Sequence, residues 1–183
     1  MKRILKEYSV ALVLAAVLLV LIGFFLWKSQ PVHLKAADLT PAETEESYPG
    51  AELSLEINGY QIGLTFSNNS DSRLESGASV GRDNELFFDG GLEILLDGVW
   101  YTVPQKDYVT AGVGLELEPG DSVSGNCSLS PYERLSDGQY RVSMGYWVFD
   151  PELGYPLAGR HLYYVTYARL DIVDGRYTLP DAP

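Results

Sequence analysis

The sequence predicts an all-β domain, an antiparallel sandwich of about seven or eight strands, preceded by one transmembrane helix. From Leu53 onward, short stretches of alternating apolar and polar residues are separated by Asn-Gly, Asp-Gly and Pro-Gly turns. No segment there has a helical period long enough to connect parallel strands. An eight-stranded closed barrel stays open as the alternative, because a sequence pattern does not show whether the edges of a sheet join.

The helix is predicted from residues 9–27, which are uncharged and almost entirely apolar. At about 1.5 Å per residue they nearly span a hydrocarbon core of ~30 Å. A cleaved signal peptide is the alternative, but its apolar core is usually about 7–15 residues long and ends at a small-x-small site. Lys2, Arg3 and Lys6 precede the span, and the positive-inside rule then places residues 1–8 in the cytoplasm. We expect a retained single-pass anchor with the rest of the chain outside the cell.

Residues 28–50 are expected to form a flexible acidic linker. They contain Pro31, Pro41 and Pro49 together with the acidic run 43–46, and they show neither strand nor helix periodicity. The domain is therefore expected to cover residues 51–178, and residues 179–183 form a C-terminal tail.

Two hairpins are predicted in the first half of the domain. Residues 53–57 and 62–66 alternate on either side of Asn58-Gly59, a dipeptide typical of a type I′ turn. Residues 92–96 and 99–103 do the same around Asp97-Gly98. The stretch 74–91 is too rich in Gly, Ser and charge for a strand to be assigned, and residues 105–114 are expected to be an irregular connection.

The second half predicts a brief strand at residues 115–118 before the Pro119-Gly120 turn, and three longer strands after it. Residues 123–129 alternate so that Cys127, the only cysteine, points inward. A strand starting near Tyr140 follows the Asp137-Gly138 turn, and a long strand covers residues 161–173 before the Asp174-Gly175 turn.

Tyr140 is expected to occupy a structural corner with Asp137 and Gly138. In β-sandwiches a tyrosine near the start of an inner strand can bond its hydroxyl to the preceding loop, which gives its one polar atom a partner. The alternative is an ordinary hairpin strand with a buried tyrosine.

Four motifs, in this order, resemble the bacterial immunoglobulin-like domains of membrane- or lipid-anchored surface proteins in Gram-positive bacteria. They are residues 64–70, 96–104, 117–122 and 135–142. The resemblance covers most of residues 53–173. It implies an extracellular immunoglobulin-like sandwich and no catalytic residues.

Composition and motifs argue against catalysis and against nucleic acid. The formal net charge is −12, which repels phosphate backbones. Neither histidine lies in a catalytic motif, and no phosphate-binding glycine loop is present. We therefore expect no enzyme activity and no cofactor. A weak calcium site is conceivable from four oxygen-bearing residues, but an exposed acidic loop explains them as well. They are Asp83, Asn84, Glu85 and Asp89.

Aromatic residues around the last hairpin form the candidate binding face for a protein or a glycan at the cell surface. Tyr and Trp are favoured at recognition surfaces, and consecutive strand residues such as Tyr163 and Tyr164 must face opposite sides. The candidates are Tyr146, Trp147, Tyr155, Tyr163, Tyr164 and Tyr167. The alternative is an aromatic sheet face covered by the protein's own stalk. Two classes of function stay open, a surface binding module and a structural accessory domain of a membrane complex.

Overall fold

The computed structural model describes residues 2–43, 46–80, 85–88, 90–106, 111–132, 134–149 and 163–180, with side chains from Ala11 onward. The chain divides into two compact units, Met1–Val32 and His33–Pro183. The first unit contains the helix α1 (Lys2–Lys28). Its stretch Ala11–Lys28 has a mean hydropathy of 2.5 and no buried residue. This helix is long and apolar enough to cross a membrane, and a signal sequence would share these properties.

The second unit is mostly β-structure. After the short 3₁₀ helix Ala36–Asp38, its strands are β1 (Thr40–Pro41), β2 (Ala51–Asn58), β3 (Gln61–Asn68), β4 (Leu74–Val80), β5 (Leu86–Phe87), β6 (Gly91–Leu96), β7 (Val99–Thr102), β8 (Ala111–Leu117), β9 (Ser122–Cys127), β10 (Gly138–Val148), β11 (Tyr163–Val173) and β12 (Arg176–Thr178).

Both hairpins predicted in the first half form. β2 pairs with β3, and β6 pairs with β7 around Asp97-Gly98. The type I′ turn predicted at Asn58-Gly59 is wrong, because Asn58 is the last residue of β2 and pairs with Gln61, and the turn consists of Gly59, with a φ of 67°, and Tyr60. Asp97 has a φ of 51° and Gly98 a φ of 82°, the left-handed conformations that a type I′ turn requires. The Asp97-Gly98 turn is local, so the sequence alone is enough to specify it.

β10 is the central strand. One of its edges pairs with β11 from Gly138 to Trp147. The other edge pairs first with β6, over Tyr140–Ser143, and then with β4, over Tyr146–Val148. The Phe66 ring of β3 packs 5.2 Å from the Tyr146 ring of β10, although these strands are not paired with each other. The described strands belong to one continuous sheet, which folds over so that the part containing β3 and the part containing β10 form two facing layers around one core.

The structure has more strands than the predicted seven or eight, and the sheet is mixed. Twelve strands form over the described residues, and β5 pairs with β9 in parallel at Phe87 and Asn126. β4 lies where no strand was assigned, and β8 begins at Ala111, inside the expected irregular connection, and runs into the strand predicted at residues 115–118. Their outward positions include glycines, so the alternation of apolar and polar side chains that reveals other strands is missing.

Alternation along β10 and β11 separates a core side from an outer face. The even-numbered residues of both strands from Tyr140 to Val148 and from Thr166 to Ile172 are buried. The outer face is defined here by the odd-numbered residues, Arg141, Ser143, Gly145 and Trp147 on β10 and Tyr163, Val165, Tyr167 and Arg169 on β11.

Part of the segment expected to be a flexible linker packs against the sandwich. β1 pairs with β7, and the Ala42 N–H donates to the Trp100 carbonyl oxygen at 2.9 Å. Leu34, Leu39 and Tyr48 pack against the core. Their spacing follows no regular period and β1 is held through its backbone, so the periodicity of residues 28–50 did not indicate this packing.

The Tyr140 side chain forms the corner that its position suggests. Its hydroxyl donates to the Ser136 carbonyl oxygen at 2.8 Å, and the ring is fully buried. Burial raises the pKa of this phenol. The Asp137 carboxylate accepts hydrogen bonds from the backbone N–H groups of Asp174 and Gly175, at 2.9 and 3.0 Å. The corner thus connects the loop before β10 to the turn after β11.

Replacing Tyr140 with phenylalanine is expected to lower the free energy of unfolding by about 1–2 kcal/mol, because a buried carbonyl loses its partner. Urea denaturation followed by tryptophan fluorescence measures the change. Tyr60→Phe is the matched control, since Tyr60 is 81% exposed. Equal stability of the two variants would contradict a stabilising role for the corner.

Candidate binding surface on the outer face

Two half-exposed aromatic side chains lie side by side on the outer face. Trp147 and Tyr163 are register partners on β10 and β11, and their ring centroids are 5.2 Å apart with the planes tilted by 59°. Trp147 is 41% exposed and Tyr163 is 37% exposed. Together they form an aromatic wall that a ligand can reach.

A pocket opens beside this wall, where β10 changes partners. β10 leaves β6 after Ser143 and joins β4 at Tyr146, so the sheet has a gap opposite Met144 and Gly145. The pocket has a volume of about 170 Å³. Four glycines and two hydroxyl-bearing residues line much of it, namely Gly77, Gly90, Gly91, Gly145, Ser143 and Tyr163.

Close approaches explain two of these glycines. A Cβ atom at Gly90 would lie 2.3 Å from the Ser143 carbonyl oxygen, and one at Gly145 would lie 2.0 Å from the Tyr163 hydroxyl. The Tyr163 ring therefore packs directly against the backbone of Gly145, which has no side chain. A side chain at residue 145 would displace the ring and alter the aromatic wall.

The pocket offers neutral hydrogen-bonding groups and ring contact. Ser76 donates its hydroxyl to the Gly145 carbonyl oxygen at 2.8 Å, and Ser143 donates to the Gly91 carbonyl oxygen at 3.3 Å. None of the described residues that line the pocket is acidic, basic or a cysteine. This arrangement can bind a neutral polar ligand, but it holds no pair of groups for acid-base or nucleophilic chemistry.

Tyr146 and Tyr164 do not belong to the exposed face. Both are even-numbered and point to the core side. Tyr146 is fully buried, stacks on Tyr164, and accepts a hydrogen bond from the Tyr48 N–H at 2.8 Å. Tyr164 packs on the Tyr48 ring at 5.2 Å. The sequence showed that consecutive tyrosines face opposite sides, but only the register shows which side each one takes.

Tyr167 lies on the outer face but packs against an arginine. The Arg141 guanidinium lies between the Tyr167 ring, at 3.8 Å, and the Trp100 ring, at 4.5 Å. Its Nε donates to a Glu93 carboxylate oxygen at 2.5 Å, and both side chains are more than nine-tenths buried. The Tyr167 hydroxyl also donates to the Glu43 carbonyl oxygen at 3.5 Å. This end of the outer face is therefore in contact with the segment before β2. Such a contact is what we expect if the protein's own stalk covers part of the aromatic face.

Sequence reasoning missed Arg141, Glu93 and Trp100. Arg141 is an isolated charge in a core strand, and Glu93 pairs with it only because β6 and β10 are in register. The one available signal was an outward arginine and an outward glutamate on two predicted strands. The sequence did not show that these strands are neighbours.

The remaining predicted site residues add little to the description of the candidate site. Tyr155, Asp83, Asn84 and Asp89 lie outside the described residues. Glu85 accepts a hydrogen bond from the Asn126 side chain at 3.1 Å. The described residues contain no group of three potential metal ligands.

The Cys127 thiol has low reactivity at neutral pH. The side chain is partly buried on β9, and burial raises the pKa of its thiol to about 12. The thiol is therefore protonated at neutral pH and is a poor nucleophile.

Comparisons with known proteins agree with the β-rich architecture. A search of curated proteins and a search of solved structures each find no match. A family model described as a bacterial Ig-like domain matches residues 47–154, which is more than half of the chain. This range includes both hairpins, the pocket gap and the central strand β10. The chain therefore belongs to the bacterial Ig-like domain family.

Proposed function

We propose that this protein is a membrane-anchored, non-catalytic binding module whose Ig-like domain is displayed outside the cell. The observation that carries the proposal is the half-exposed Trp147–Tyr163 pair beside a glycine-lined pocket. Large aromatic side chains bury much area at a small entropic cost, so they dominate many recognition surfaces. Ig-like domains of this family are generally non-catalytic, which agrees with the chemistry of the pocket.

The partner is a protein or a glycan at the cell surface. A neutral pocket with backbone and hydroxyl groups suits amide or sugar hydroxyl groups, and the rings suit apolar faces of either ligand. The net charge of −12 disfavours polyanions such as nucleic acid. Binding through these groups requires no cofactor.

The anchor is α1, retained in the mature protein with its N-terminus in the cytoplasm. Its length, its apolar composition and the basic residues Lys2, Arg3 and Lys6 support this orientation. Protease added to intact cells should then remove the Ig-like domain and leave the helix in the membrane fraction. Release of the domain into the medium without protease would show a cleaved signal sequence instead.

Replacing Trp147 with alanine in the full chain is expected to reduce partner recovery at least about tenfold in a detergent pull-down from native membranes. The indole supplies half of the aromatic wall, so its loss removes contact area without emptying the core. Tyr60→Ala is the matched control, an exposed aromatic on the β2–β3 turn. Unchanged recovery by Trp147→Ala would contradict recognition at this surface.

The same pull-down tests the accessory role in a membrane complex. The Ig-like domain is a compact unit with its own core, so the chain from Lys28 onward can be compared with the full chain. Recovery of the partner by both chains supports the binding module. Recovery only with α1 present supports an assembly role for the helix.

A further inference from the structure

Among the strands that the structure describes, β8 has a partner on one edge only. Its seven residues pair with β4 along the whole length, from Ala111 opposite Val80 to Leu117 opposite Leu74. Within the described residues no strand pairs with its other edge. The first four residues are exposed, including Val113. The N–H and C=O groups along this edge are therefore available to another strand.

Over its first five residues β8 lacks the features that keep the other outermost strands from pairing, and its one charged residue is Glu116. β1 has only two residues, one of them Pro41, and β12 has three residues and begins with Arg176. β2 is longer but exposes Glu52 and Glu56. In β8, residues 111–115 include no charge and no proline. Short length, proline and charge are the usual protections of an edge, and their absence marks a pairing site.

The glycines of β8 are not required by the fold of the single chain. A Cβ atom at Gly112 or Gly114 would meet no atom within 4 Å, and neither residue has a left-handed backbone. Glycine weakens a strand, and it often occurs where another backbone approaches closely. Gly114 also lies opposite Gly77 of β4, whose Cβ position is equally open. The outer side of β8 therefore carries no side chains at Gly112 and Gly114.

We propose that β8 pairs in antiparallel orientation with β8 of a second copy of this chain, about a two-fold axis at Gly114. In this register all seven residues find partners. Ala111 lies opposite Leu117, Gly112 opposite Glu116 and Val113 opposite Leu115. The core-side pairs are then apolar, and no two carboxylates face each other. Main-chain hydrogen bonds join the two β4–β8 sheets into one, as in strand addition.

The self-complementary register favours a second copy over an unrelated strand. Its core-side pairs join Ala111 with Leu117 and Val113 with Leu115, which are all apolar, and each Glu116 lies opposite Gly112, which leaves space for the carboxylate. A shared membrane anchor would also confine two copies and raise their effective concentration. The edge of β8 adjoins the pocket, because Gly77, which lines the pocket, lies opposite Gly114, but the proposed pairing does not depend on the ligand of the pocket.

Cross-linking of the full chain in its native membrane tests the register. Residues directly opposite in an antiparallel pair have Cβ atoms about 4.5–5.5 Å apart, so Gly114→Cys should form a disulfide across the axis under mild oxidation. We expect a band at twice the 20.2 kDa of the chain. Ser54→Cys, on the exposed side of β2, is the matched control and should give no such band. The native Cys127 is present in both variants.

A charge at the axis tests the association without a cross-link. Gly114→Lys should convert the dimer to monomer in sedimentation of the detergent-solubilised chain, because two like charges then lie directly opposite each other. The open Cβ position leaves the monomer fold intact, and Ser54→Lys should leave the dimer unchanged. Absence of a Gly114→Cys dimer, equal cross-linking by Ser54→Cys, or a dimer that survives Gly114→Lys would each overturn the proposal.

Discussion

Replacing Glu93 with alanine is expected to lower the free energy of unfolding by about 3–5 kcal/mol. The Glu93 and Arg141 side chains are only 9% and 8% exposed, and they form an ion pair on the outer face. The Arg141 Nη2 atom is already buried without a hydrogen-bond partner among the described residues. Removing the carboxylate would leave the buried guanidinium in contact with two aromatic rings and without its anionic partner.

Urea denaturation followed by tryptophan fluorescence measures this loss. Glu52→Ala is the control, an exposed glutamate on β2 that should change stability by less than about 0.5 kcal/mol. The double variant Glu93→Leu with Arg141→Met should recover much of the loss, because apolar side chains often replace a buried ion pair at little cost. If Glu93→Ala costs no more than Glu52→Ala, the ion pair does not stabilise the fold.

Replacing Tyr146 with alanine is expected to cost about 3–5 kcal/mol, as is usual for a large aromatic in a core. The ring is fully buried between Phe66 and Tyr164, so its removal leaves a cavity between the two layers. Tyr146→Phe isolates the hydroxyl, which accepts the Tyr48 N–H at 2.8 Å and lies 3.3 Å from the Ser47 hydroxyl. That variant should cost about 1–2 kcal/mol.

The Tyr146 variants also test how the segment before β2 is held. Hydrogen exchange at the Tyr48 amide should be faster in Tyr146→Phe, because this amide loses its acceptor. The neighbouring outward residue supplies the control, and Trp147→Ala should cost much less than Tyr146→Ala because its ring is 41% exposed. Equal losses for the two alanine variants would contradict the assignment of Tyr146 to the core and Trp147 to the surface.

Features with local causes could be predicted from the amino-acid sequence. Asp97-Gly98 specifies its hairpin because both residues adopt the left-handed conformations of a type I′ turn, and in the first hairpin Gly59 alone supplies the left-handed residue of the turn. The uninterrupted apolar run specifies α1 as a candidate membrane span, since its length and composition are properties of one segment. The Asp-Gly turn before Tyr140 placed that tyrosine near the start of a core strand, and the hydroxyl bond to Ser136 is also a short-range contact.

Which strands are neighbours depends on long-range contacts that the sequence pattern does not show. The glycines of β4 and β8 carry no periodic signal, so their pairing depends on backbone hydrogen bonds between residues far apart in the chain. The register of β10 with β6 and β11 places Arg141 beside Glu93 and separates the buried Tyr146 from the exposed Trp147. A shift of one residue would reverse these faces without changing any local propensity. The candidate pocket depends on the same cause, because it exists only where β10 passes from β6 to β4.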